Sequence, residues 1–159
     1  MNPVYFNLAL ALLWTFLSRG PSFTTFLIGY VLGFVLIAAG RRLFPSSNYV
    51  GRVLAFVGFA WAFLCELLVS NVSLIRVVLF QSRDELNPGF LTYDVSRLST
   101  LESRVLTHCL TLTPGTTTVD ILDGGRTLLL HALDAKDPDA VRRSIDRGLR
   151  DPLLRWTRS

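Results

Sequence analysis

VGRVLAFVGFAWAFLCELLVSNVSLIRVVLF, running from Val50 to Phe80, is the stretch on which the fold turns. It is apolar over its whole length, yet it carries Glu66, Ser70, Asn71, Ser73 and Arg76. At about 100° per residue, Arg52, Glu66, Ser70, Ser73 and Arg76 fall on one arc of about 120°, with Asn71 outside it. Ala55, Gly58 and Ala62 share the arc. A stripe of polar and small residues on an apolar helix does not face lipid tails. It faces a protein partner or the headgroup region. The segment is therefore expected to be a third membrane helix, either spanning or tilted along the interface.

Two further apolar segments precede it. Met1–Ser18 has no charged side chain and is short for a span: residues 4–18 as a helix cover about 23 Å against about 30 Å of hydrocarbon. It lacks the basic start and the small-x-small site of a cleaved signal, so a retained membrane helix at about 4–18 is expected. Ser18-Arg19-Gly20-Pro21-Ser22 is a turn. A second helix is expected over about 23–40, ending at Arg41-Arg42. Within it Gly29 and Gly33 have the small-xxx-small spacing that lets helices approach closely. Phe44-Pro45-Ser46-Ser47-Asn48 reads as a loop.

Charge divides the chain at the same place as hydropathy. Residues 1–80 hold five arginines (19, 41, 42, 52, 76) and one acid, Glu66, whereas residues 81–159 hold equal numbers of bases and acids. The net charge of +4 thus belongs to the apolar half. These arginines flank apolar segments and form no basic stripe, which excludes a nucleic-acid reading. They act as topology determinants, and the excess after the second helix puts that loop and the N-terminus in the cytoplasm. If the third helix lies along the interface, the remainder of the chain stays cytoplasmic as well.

Residues 81–159 have the pattern of a small α/β domain. Asn87-Pro88-Gly89 is a turn and Phe90–Val95 a strand. Leu98–Leu112 has helical spacing at Leu98, Leu101, Val105, Leu106, Cys109 and Leu112, stopped by Thr113-Pro114-Gly115. Thr116–Leu122 alternates, Asp123-Gly124-Gly125-Arg126 is a hairpin, and Thr127–Leu133 returns. Asp137-Pro138 caps a last helix with Val141, Ile145 and Leu149 on one face, ended or kinked by Asp151-Pro152. The order β-α-β-β-α describes a ferredoxin-like sandwich with three strands.

The sequence contains no catalytic, cofactor-binding or metal-ligating constellation. Cys65 and Cys109 lack a CxxC or Cys/His partner at metal spacing and read as buried small hydrophobes. His108 and His131 pair with no nucleophile or metal cluster, and the glycines form no phosphate loop. Glu66 alone offers chemistry, as an acid in an apolar segment. No second intramembrane acid or lysine accompanies it to relay a proton, so a contact role is expected. Arg142, Arg143, Arg147 and Arg150 on the last helix are interleaved with Asp139, Asp146 and Asp151 and read as a solvated face rather than a lipid site.

Five stretches together form a recognisable arrangement. They are Phe26-Leu-Ile-Gly-Tyr-Val-Leu-Gly33, Glu66-Leu with Ser70-Asn71, Pro88-Gly89-Phe90, Leu110-Thr-Leu-Thr-Pro-Gly-Thr116, and Leu130-His-Ala-Leu-Asp134. In order and spacing the chain resembles the E-type subunits of the multisubunit Mrp-type Na⁺/H⁺ antiporters over essentially its whole length. The resemblance implies an accessory or assembly role in a bacterial inner-membrane complex that exchanges cytoplasmic cations for external protons. It implies partner subunits of the A, B, C, D, F and G types, contact with membrane lipid, no cofactor, and a cytoplasmic soluble half. The third segment is more apolar here than is usual in that family. Gly29, Gly33, Glu66, Ser70, Asn71 and Ser73 are the expected subunit contacts. Leu112, Thr113, Pro114, Gly115 and Thr116 are expected to form the turn that fixes the soluble domain. The rival readings are a membrane-tethered ligand-sensing domain and an ion-conducting subunit with Glu66 in a proton path.

Overall fold

The computed structural model describes residues 3–40, 48–81 and 86–159. Arg41, Arg42 and the loop at 44–47 lie outside the described residues. The elements are α1 (Pro3–Leu17), α2 (Phe23–Ala39), α3 (Tyr49–Phe80), β1 (Gly89–Asp94), α4 (Thr100–Leu112), β2 (Thr116–Leu122), β3 (Thr127–Ala132), α5 (Pro138–Ile145) and α6 (Asp151–Thr157). A π-helical turn, Asp146–Arg150, joins α5 to α6. By contacts the chain divides into two compact units, Met1–Leu54 and Ala55–Ser159. That boundary falls well before the composition change near residue 80, and α3 joins the later elements through Phe59 and Phe63, which pack on their core.

In the first unit α1 and α2 form an antiparallel pair. Ser22 starts α2 with a capping box: its hydroxyl accepts from the Thr25 amide, and the Thr25 hydroxyl accepts from the Ser22 amide. The buried positions of α1 are Pro3, Asn7 and Ala11, and those of α2 are Gly29, Gly33 and Ile37. Both sets repeat every four residues, so two narrow seams meet. A side chain at Gly29 would place its Cβ 2.8 Å from the Trp14 Cβ and 3.0 Å from the Ala11 carbonyl oxygen. A Cβ at Gly33 would collide with the Asn7 side chain. The small-xxx-small spacing therefore works inside this chain, where lost backbone separation is exchanged for packing.

The second unit is built on a three-stranded sheet of order β1-β3-β2, with β3 antiparallel to both neighbours. Helix α4 carries the chain from β1 across to β2 and leaves room for β3 between them. The hairpin β2–β3 turns at Asp123, Gly124 and Gly125, all with positive φ, as the Asp-Gly-Gly sequence anticipates. Central strand β3 buries Leu128, Leu130 and Ala132, opposite Tyr93 and Leu91 of β1. Leu106, Cys109 and Leu110 of α4 close the core with Ile145, Leu149 and Leu153. The turn is made by Thr113, whose hydroxyl donates to the carbonyls of Cys109 and Leu110, and by Gly115 at φ 100°. The Gly115 carbonyl in turn accepts from the Leu133 amide at 2.8 Å.

Two local expectations give way and a third holds in part. Of the two expected effects of Asp151-Pro152, an end or a kink, the helix shows a local distortion and no end. Pro152 lacks the N–H that an α-helix would return to Gly148, and the π-turn absorbs the defect, so the helical path continues to Thr157. This keeps Ile145, Leu149 and Leu153 on one buried line. Val119 and Ile121 alternate in sequence but are 53% and 54% exposed, because β2 is an edge strand with an irregularity between Thr118 and Asp120. Leu101 and Leu112 of α4 also point outward, since the helix buries the face carrying Leu106, Cys109 and Leu110.

Glu102 ties the start of α4 to the C-terminal end of the second unit. It completes a capping box with Ser99 at the start of α4. Its carboxylate also accepts from the Thr157 hydroxyl at 2.5 Å and from Arg158 at 3.2 Å. The Arg158 guanidinium, chiefly, holds the carboxyl at about 2, below the ordinary 4.5. A depressed carboxyl stabilises the fold above its unfolded-state value and ceases to do so as pH falls through the folded value. Glu102→Ala is therefore expected to cost about 2 kcal/mol at pH 7. The gap from the parent chain should close between about pH 4.5 and 2, measured by denaturant unfolding of the full chain in detergent. Gly29→Leu should cost about 2–3 kcal/mol in the same assay by overfilling the α1–α2 seam. Gly58→Leu, on α3 with nothing within 4 Å of the new Cβ, should leave the isolated chain's midpoint unchanged.

Candidate functional site

Helix α3 is the one helix among the described residues long and apolar enough to cross a membrane. Its two faces have different fates. On one, Phe59 is 8% exposed and joins the core of the second unit, with Phe63 packed against it. Trp156 of α6 stacks on Phe59 with ring centroids 5.5 Å apart and lies 4.9 Å from Phe56. On the other, Leu54, Val57, Trp61, Leu64, Leu68, Val72, Ile75 and Leu79 are exposed. The apolar surface on that face is too large to be left to water.

Of the polar stripe, Glu66 and Ser70 are half-buried, while Ser73 and Arg76 are exposed. Glu66, Ser70 and Ser73 line a cavity of 390 Å³ whose opposite wall is Thr113, Pro114, Gly115 and Thr116, with Asp134 and Ser144. Two sets of residues singled out separately in the sequence thus meet in one place: the stripe of α3 faces the chain's own turn. Within this chain Gly29 and Gly33 meet α1, while Glu66, Ser70 and Ser73 line this open cleft. Helical periodicity shows that a face is covered without showing what covers it. Asn71 lies off this cavity, exposed, and donates its amide back to the Leu67 carbonyl at 2.6 Å. Ser70 likewise donates to the Glu66 carbonyl at 2.8 Å. Leu112 points outward, while Thr113 is buried.

The Glu66 carboxylate rests on the π-turn. A Cβ at Gly148 would stand 2.6 Å from Glu66 Oε2, so a larger residue there would turn the acid aside. Glu66 also lines a second, 450 Å³ cleft with Ala140, Arg143, Ser144, Arg147 and Gly148. Behind the turn, Tyr93 donates to Asp146 at 2.5 Å, and Arg150 pairs with the same carboxylate oxygen at 3.1 Å. Burial, reinforced by Asp146, pushes the Tyr93 phenol far above its ordinary value, so it remains a donor at any physiological pH. Burial likewise pushes the Cys109 thiol up to about 11, which leaves it inert. Among the described residues no three His, Cys, Asp or Glu side chains gather as a metal site.

One polar cluster was not anticipated. Asn7 of α1 is fully buried and donates to the Tyr49 hydroxyl at 2.9 Å, which lies 3.1 Å from the Tyr30 hydroxyl. Asn7 Oδ1 has no hydrogen-bond partner and sits against Gly33. The available signal was the asparagine itself, since an amide inside an uncharged apolar helix needs a partner. Glu102 and Arg158 were likewise invisible as a pair, being 56 residues apart in sequence.

A family model described as Na⁺/H⁺ ion antiporter subunit matches residues 7–156. The E-type subunit of the Na⁺/H⁺ antiporter of Bacillus subtilis (strain 168) is 30% identical over 152 residues, covering 93% of this chain and 96% of the relative. Among solved structures, a chain of the membrane-bound sulfane sulfur reductase, an archaeal respiratory membrane complex, is 24% identical with a TM-score of 0.56. That match covers 94% of this chain and 98% of the other. A chain of the Mrp complex from a Dietzia species is 25% identical with a TM-score of 0.46, covering 65% of this chain and 94% of that one. The family match is nearly end to end and takes in both the apolar helices and the sheet, so the chain belongs to the Na⁺/H⁺ ion antiporter subunit family and its place is in a membrane.

Proposed function

We propose that the chain is an accessory, assembly-type subunit of a multisubunit Mrp antiporter. The complex would exchange cytoplasmic Na⁺, or another monovalent cation, for external H⁺ at the expense of the proton motive force. The observation that carries the accessory role is the placing of Glu66. It is the one acid in residues 1–80, and it lines an open cleft against the chain's own domain. A lone carboxyl backed by a folded domain makes no through-membrane path, so the ion route belongs to other subunits. The partners are the A-, B-, C-, D-, F- and G-type subunits. They would meet the outer apolar face of α3 and the outer faces of α1 and α2.

In the same reading α1 and α2 span the bilayer, and α3 lies along the cytoplasmic interface. The coverage of α3 supports this. Sinking its Phe59–Leu74 stretch into hydrocarbon would carry the attached domain, with Arg143 and Arg147, into lipid as well. The soluble half, residues 81–159, then sits in the cytoplasm on a membrane half of residues 1–80. The split β-α-β crossover with a central antiparallel β3 supports a ferredoxin-like sheet reduced to three strands.

Purification of the tagged chain from its native membrane in mild detergent should bring down the other antiporter subunits. Leu68→Glu on the outer face of α3 should reduce their recovery more than tenfold, as burying one unpaired charge in an interface does. Glu66→Gln should leave recovery intact. Full recovery with Glu66→Gln but no cation/proton exchange would instead support a proton-path role for Glu66.

A further inference from the structure

We infer that the cleft between α3 and α5 is a binding site for a zwitterionic phospholipid headgroup of the phosphoethanolamine type. Its lining is short and chemically divided: Glu66 on α3, and Arg143, Ser144, Arg147 and Gly148 on the facing helix and π-turn, with Ala140 at the side. Several charges of the last helices are paired locally. Arg142 pairs with Asp139, Arg143 with Asp137 at 3.3 Å, and Arg150 with Asp146. Among the described residues Arg147 forms no ion pair with a carboxylate. It shares the cleft with Glu66 without meeting it.

A cleft with a cation at one end and a carboxylate at the other suits a ligand carrying the opposite pair at short separation. A phosphate takes the guanidinium of Arg147, the outer N–H groups of Arg143 and the Ser144 hydroxyl. A primary ammonium two carbons away takes the Glu66 carboxylate, to which it can donate up to three hydrogen bonds. A quaternary choline ammonium has no N–H and loses that half of the recognition. An anionic glycerol headgroup gains nothing from Glu66 and meets its repulsion. Gly148 contributes by geometry, because any side chain there would push the acid out of its place. The inference rests on the interfacial placing of α3, which brings the cleft to headgroup depth. That placing is read separately by depth probes on the outer face of α3, so its failure and the failure of the headgroup assignment give different results.

The test is lipid retention by the full-length chain, transferred from detergent containing equimolar phosphatidylethanolamine, phosphatidylcholine and phosphatidylglycerol, and read by native mass spectrometry. The chain is expected to retain phosphatidylethanolamine about tenfold over phosphatidylcholine, the ratio that one charge-assisted contact supplies. Glu66→Gln should abolish that preference while leaving total phospholipid retained. Arg147→Gln, an exposed position that does not threaten folding, should lower retention of all three lipids. Equal retention of the ethanolamine and choline lipids, retention of the glycerol lipid above both, or a preference that survives Glu66→Gln would each overturn the assignment.

Discussion

Trp156 stacked on Phe59 is the contact on which the second unit depends. A long apolar helix must have its surface covered by lipid, by other protein or by its own chain. Here the C-terminal helix spends its one tryptophan on covering α3, and Phe56 and Phe63 widen the seam. Once α3 is held there, Glu66 and Ser70 line a cleft with the turn after α4. The close approach of Glu66 to Gly148 follows from that placement. So does the use of the π-turn, which carries the helix past Pro152 so that Trp156 can reach its partner.

The first unit obeys a different constraint. Its helices are almost wholly apolar, so hydrophobicity cannot choose which faces meet. Close approach chooses instead. Gly29 and Gly33 let α2 settle onto Ala11 and Asn7, and the amide of Asn7, too costly to leave facing hydrocarbon, finds Tyr49. Shape and one buried polar contact therefore do in this unit what a packed apolar core does in the other.

Much of this was legible in the residues. Asp137-Pro138 caps α5, Asp123-Gly124-Gly125 turns the hairpin, and the three apolar segments are three helices, because each of these signals is local and has a single physical meaning. What was not legible was partnership across the chain. The helical wheel of α3 marked a polar face without its neighbours; at Glu66 and Ser70 that face lines a cleft shared with Pro114–Thr116 of the same chain. The Gly29–Gly33 spacing marked a close approach and not its partner, which is α1. Asp151-Pro152 looked like a stop or a kink because proline removes a hydrogen bond, yet a π-turn accommodates the loss while Leu149 and Leu153 keep the path buried.

The central claim is that α3 is an interfacial helix held by its own domain. Nitroxides placed singly at Leu64, Leu68, Val72, Ile75 and Leu79, in a Cys65→Ser background of the full chain in lipid vesicles, test it directly through oxygen and nickel accessibility. Cys109, buried and with its thiol raised to about 11, would not compete for the label. The account predicts one shallow depth at all five sites, near the boundary of headgroups and acyl chains. A steady change in depth along the series, by about 1.5 Å per residue, would mean that α3 crosses the bilayer and would contradict it.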